Sequence, residues 1–116
     1  MNRVILSGRL GNDPEIQELG NGNAVVNVSI ATSKIYVKDG ERQEVTDWHR
    51  CVAFGKMAEV ISQHWRKGDK YLVEGELRTE EWTTDTGDKR SASKVYLSGF
   101  EFLTPKQTAD YDPDVL

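Results

Sequence analysis

Residues 45–54 read Val45-Thr46-Asp47-Trp48-His49-Arg50-Cys51-Val52-Ala53-Phe54. Taken in steps of two, Trp48, Arg50, Val52 and Phe54 share one side of an extended segment, and Asp47, His49, Cys51 and Ala53 share the other. One side therefore offers two aromatic rings with a guanidinium between them. Aromatic residues in a strand are commonly core, but Arg is rarely buried without a partner. Two readings stay open: a core face with a compensated Arg, or a surface that stacks planar groups and holds anions.

Outward from this segment the chain alternates strands with turn signals. Arg3 to Leu10 predicts a first strand, closed by Gly11-Asn12-Asp13-Pro14. Glu15 to Leu19 is a short extended piece ending at Gly20-Asn21-Gly22-Asn23, a hairpin signal because Gly and Asn tolerate positive φ. No Gly-Lys-Ser/Thr follows, so this is not a phosphate loop. Val26, Val28 and Ile30 alternate with Asn27, Ser29 and Ala31, the period of a half-buried strand. Asp39-Gly40 marks the next turn. Met57, Val60, Ile61, His64 and Trp65 recur at helical spacing, with Gly68 as a stop signal. Trp65 is assigned to the core, and His64 to a partly buried structural position. Tyr71 to Trp82 and Ser93 to Leu103 predict two more strands, joined by the polar tip Thr83 to Arg90.

Three main strands, one helix and two further strands predict an all-β protein with one helix. The arrangement suits a five-stranded Greek-key barrel of the OB-fold type with long β-hairpin loops. A sandwich with an added helix is the alternative. Periodicity stops after Leu103, which divides the chain into a domain at 1–103 and an acidic tail at 104–116.

Composition limits the function. With 116 residues the chain suits one domain and a modest core. No apolar run approaches the ~20 residues of a membrane span, and the N-terminal run is too short for an export signal. The single cysteine, Cys51, excludes an internal disulfide and fits a cytoplasmic protein. The net charge of −4 argues against bulk attraction to nucleic acid. The tail holds Lys106 against Asp110, Asp112 and Asp114, so the domain itself carries only −2. Binding to nucleic acid would need stacking and a local basic groove.

Such a groove has candidates. Trp48, Phe54, Trp82 and Tyr36 lie on strands or strand ends beside polar tips, where rings can meet unpaired bases. Arg3, Arg9, Lys34, Arg50, Lys56, Arg78, Lys89 and Arg90 supply cations for phosphates. No Cys/His spacing indicates a metal, and Asp47 with His49 finds no third partner for a nuclease site. No cofactor is expected.

These residues also resemble a known family. Val4-Ile5-Leu6-Ser7-Gly8-Arg9-Leu10-Gly11-Asn12-Asp13-Pro14-Glu15, Ser29-Ile30-Ala31-Thr32-Ser33, Thr46-Asp47-Trp48-His49-Arg50-Cys51-Val52-Ala53-Phe54-Gly55-Lys56, Arg66-Lys67-Gly68 and Val73-Glu74-Gly75-Glu76-Leu77-Arg78-Thr79 are similar to bacterial single-stranded DNA-binding proteins. The resemblance implies an OB-fold that assembles as a homotetramer and wraps single-stranded DNA in replication, recombination and repair, without catalysis or metal. It implies stacking on Trp48, Phe54 and Trp82, with Tyr36 where the family usually has Trp. It adds Lys67 to the phosphate contacts and implies a cytoplasmic, nucleoid-associated protein.

Two features depart from the family pattern. Glu80 and Glu81 precede Trp82 where basic residues are usual, which predicts weaker binding. The tail lacks the usual long linker, yet Asp112, Asp114, Val115 and Leu116 keep an acidic tip with an apolar end. That tip is either a shortened docking element for replication and repair proteins or a solvated terminus. The competing functions are a primosome-type accessory protein, a phage or mobile-element single-stranded DNA binder, a barrel nuclease and a pure protein adaptor.

Overall fold

The computed structural model describes residues 1–20 and 22–103. Six strands and one helix follow in order: β1 (Val4–Leu10), β2 (Ile16–Glu18), β3 (Ala24–Lys38), β4 (Glu41–Phe54), α1 (Gly55–His64), β5 (Lys70–Thr83) and β6 (Lys89–Phe102). Strand β1 pairs antiparallel with both β5 and β3, β3 with β4, and β5 with β6. A short parallel pairing of β4 with β6, at Cys51↔Val95 and Val52↔Tyr96, closes the ring. The result is the expected five-stranded OB-type barrel, with β2 added along β3.

Alternation puts one set of side chains inside. Leu10, Val26, Val28, Ile30, Cys51, Ala53, Tyr71, Val73 and Val95 form the interior, joined by Ala58 and Ile61 from α1. Closure is tight where β1 crosses β3: a Cβ on Gly8 would overlap the Ala31 carbonyl. Trp65 fills the remaining space. It is fully buried, stacks on Tyr71 at 4.1 Å between centroids and meets Phe100 edge-on at 5.1 Å. The core assignment of Trp65 therefore holds, but its element differs. Helix α1 ends at His64, and Trp65 is its C-cap in extended geometry. Gly68 sits in the turn beyond, where its N–H donates to the Leu10 carbonyl. His64, the last residue of α1, is exposed rather than partly buried.

Two hairpins run well past the barrel. The β3–β4 ladder continues to Lys38↔Glu41, and the β5–β6 ladder to Thr83↔Lys89. Both strands of each arm are longer than their alternation predicts. Their outer halves are exposed on both sides, so no burial imposes a period of two there. Asp39 and Gly40 make the first tip with φ of 53° and 78°, the geometry of a tight two-residue hairpin turn. The acidic tail, with Asp112, Asp114, Val115 and Leu116, lies outside the described residues.

Candidate nucleic-acid interface

Strand β4 carries the centre of the site. Its inward residues, Cys51 and Ala53, belong to the core, and this fixes which way Trp48, Arg50 and Phe54 must face. Trp48 is 61% exposed and Phe54 46% exposed, while Val52 between them is buried. The alternative that these rings are core is thereby settled: they are surface rings on a buried foundation. Burial of Cys51 pushes its thiol up to about 12, so it stays protonated and unreactive at neutral pH.

The six-membered edge of the Trp48 indole abuts Gly11. A Cβ at position 11 would overlap the six-membered ring of the indole. Beside this contact runs a groove of about 430 Å³ lined by Trp48, Arg50, Asn12, Asn27, Ser29 and Lys94. A second groove of about 330 Å³ opens on the other side of Trp48 and Arg50, toward Leu77, Ala92 and Ser93 at the base of the β5–β6 arm. Trp48 and Arg50 thus stand between two concave surfaces. His49 points the opposite way, is partly buried, and bonds Thr32 Oγ1 through Nε2 at 2.8 Å.

Phe54 belongs to a third groove, about 570 Å³, shared with Arg3, Glu74, Glu76, Arg78 and Tyr96. The Phe54 and Tyr96 rings are 5.7 Å apart, tilted by 36°. The Arg78 guanidinium lies over the Tyr96 ring at 4.6 Å. Tyr96 also donates its hydroxyl to Glu80 Oε1, and that carboxylate holds its phenol above the usual tyrosine range. Lys94 Nζ is 3.9 Å from the other Glu80 oxygen. Lys94 and Tyr96 were not singled out from the sequence. Their shared side of β6, alternating with Val95 and Leu97, was the available signal.

The expected cations divide into two groups. Arg3 pairs with Glu74 at 2.6 Å and Arg78 with Glu76 at 2.6 Å. Arg9 donates to the Gly68 carbonyl at 2.8 Å, a contact that holds β1 to the turn after α1. By contrast, Lys34, Arg50, Lys56, Lys89 and Arg90 form no ion pair among the described residues. Lys67 is exposed and uses its backbone N–H to bond Asp13 Oδ1, at 2.9 Å.

The remaining rings sit on the arms. Trp82 is 49% exposed and lies opposite Arg90 across the β5–β6 ladder. Tyr36 is exposed too, but the register of β3 puts it with Lys34 and Thr32, on the face opposite Ala31 and its partner Trp48. The structure therefore groups Trp48 with Arg50, and Phe54 with Arg78. It leaves Trp82 and Tyr36 on separate arms. Of the two carboxylates that precede Trp82, only Glu80 shares its face of β5. Glu80 is engaged by Tyr96 and Lys94, and Glu81 alternates to the face opposite Trp82.

Residues 1–103 match the model of the single-strand binding protein family. The chain belongs to that family. A Plasmodium falciparum single-strand binding protein, solved in complex with single-stranded DNA, superposes with a TM-score of 0.81 at 31% identity, covering 89% of this chain and 95% of that one. Single-strand binding proteins are DNA-binding proteins and not enzymes. Among the described residues, no group of three or more His, Cys, Asp or Glu is placed to hold a metal, and no helix is long and apolar enough to cross a membrane.

Proposed function

We propose that this single-stranded DNA-binding protein holds its strand by stacking bases on Trp48, Phe54 and Trp82, with Tyr36 as a weaker fourth ring. Phosphates then meet the uncommitted cations, chiefly Arg50, Lys56, Lys34, Lys89 and Arg90. The observation that carries this reading is Trp48, more than half exposed on a buried base, beside Arg50 and between two grooves. An exposed ring beside a cation offers a stacking surface to a base, and every base has a π-face. Binding of this kind has little sequence preference. It serves to cover DNA during replication, recombination and repair, in the cytoplasm.

Self-association accompanies this role. Ile5, Ile35, Val37 and Val45 are exposed apolar side chains on β1 and on the β3–β4 arm, and they support the homotetramer that the family resemblance implies. Docking of replication and repair proteins by the acidic tail is a separate proposal. Titration with oligo-dT tests the stacking reading: it should quench tryptophan fluorescence to saturation. Binding without quenching would refute it.

A further inference from the structure

Phe54 does not stand alone on its side of the barrel. The parallel pairing of β4 with β6 sets Val52 opposite Tyr96 and so brings the Tyr96 ring beside Phe54. Three contacts then fix Tyr96. Its ring lies tilted beside Phe54, its face receives the Arg78 guanidinium, and its hydroxyl is bonded to Glu80. Arg78 is fixed in turn, since both its Nε and Nη2 bond Glu76 Oε1. A guanidinium satisfied by a carboxylate and laid on a ring is badly placed to serve as a mobile phosphate contact. Glu74, Glu76 and Glu80 also line or border this patch, so a phosphate entering it meets carboxylates.

We propose that Phe54 and Tyr96 form one two-ring base subsite, and that Arg78 is a positioning residue for the Tyr96 ring rather than a phosphate contact. The inference deepens the stacking reading and rests on it. Bases enter the subsite, and the sugar-phosphate chain passes outside it toward Arg50 and Lys56. The Glu80 carboxylate orients the phenol, while the ring itself supplies the stacking surface.

The test compares variants of the full chain by oligo-dT affinity across a salt series. Tyr96→Leu should weaken binding roughly 5- to 150-fold, the range expected for a lost stacking partner. Tyr96→Phe should stay close to wild type, because the ring is retained. Arg78→Gln should weaken binding while leaving the slope of log K against log salt unchanged. A phosphate contact would instead lower that slope by about 0.7. Trp48→Ala is the control for the underlying reading. If Trp48→Ala weakens binding but Tyr96→Leu does not, the two-ring subsite is wrong and the stacking reading survives. If Trp48→Ala has no effect, the stacking reading itself fails. A lowered salt slope in Arg78→Gln would return Arg78 to the phosphate contacts and overturn its positioning role.

Discussion

The Trp48 indole rests on Gly11 so closely that a single added methyl at position 11 would occupy the volume of its six-membered ring. The turn after β1 is therefore the seat of the most exposed ring on β4. Because Trp48 is 61% exposed, it can yield to such a methyl by swinging away. Gly11→Ala should then leave the fold intact and lower single-stranded DNA affinity by up to about 1–3 kcal/mol, the worth of one stacked base. Unchanged circular dichroism with weakened oligo-dT binding is the expected pair of results. Unchanged affinity would show that the seat does not matter.

The three tryptophans should separate by function. Trp65 is fully buried between Tyr71 and Phe100, so Trp65→Ala should cost about 3–5 kcal/mol of stability, read from urea unfolding. Trp48→Ala and Trp82→Ala should cost little stability, and each should cost about 1–3 kcal/mol of binding.

Arg50 and Arg9 should also behave differently, although both are arginines near the barrel surface. Arg50 has no ion-pair partner among the described residues, so Arg50→Gln should lower the salt slope of binding by about 0.7. Arg9 is committed to the Gly68 carbonyl at 2.8 Å. Arg9→Gln should lower the melting temperature and leave the salt slope where it was.

Cys51 supplies a pH prediction. Burial raises its thiol from 9.0 to about 12. A raised folded-state value means that the native protein keeps a proton the unfolded chain releases. The stabilising contribution is complete below pH 9 and is lost as pH climbs toward about 12. The loss of stability across that window should be shallower in Cys51→Ala than in wild type. At pH 8, labelling of the native thiol should be slow and should accelerate with denaturant. Rapid labelling of the folded protein would contradict the burial.

The barrel was legible because its inner halves are buried on one side. Val26, Val28 and Ile30 had to alternate, and Asp39-Gly40 had to turn. Trp65 was legible as core from its spacing to Ile61, although the helix stops one residue short of it. The site was only partly legible. Trp48, Arg50 and Phe54 lie on one strand, so a period of two exposed them together. Tyr96 and Lys94 reach them through a parallel pairing of two residue pairs between strands separated by the helix and β5. No local pattern encodes such a closure. The engagement of Glu80 by Tyr96 and Lys94 comes instead from the β5–β6 hairpin, whose register sets which side chains meet across the arm. The face occupied by Tyr36 depends on the β3–β4 register, and an arm exposed on both sides does not announce its register.

The most direct measurement of the central claim is a tryptophan-fluorescence titration with oligo-dT, run on wild type and on a Trp48→Ala/Trp82→Ala variant. Wild type should show saturable quenching with residual emission from buried Trp65. The double variant should lose most of the quenching and much of the affinity. Full affinity in the double variant would contradict base stacking on these rings.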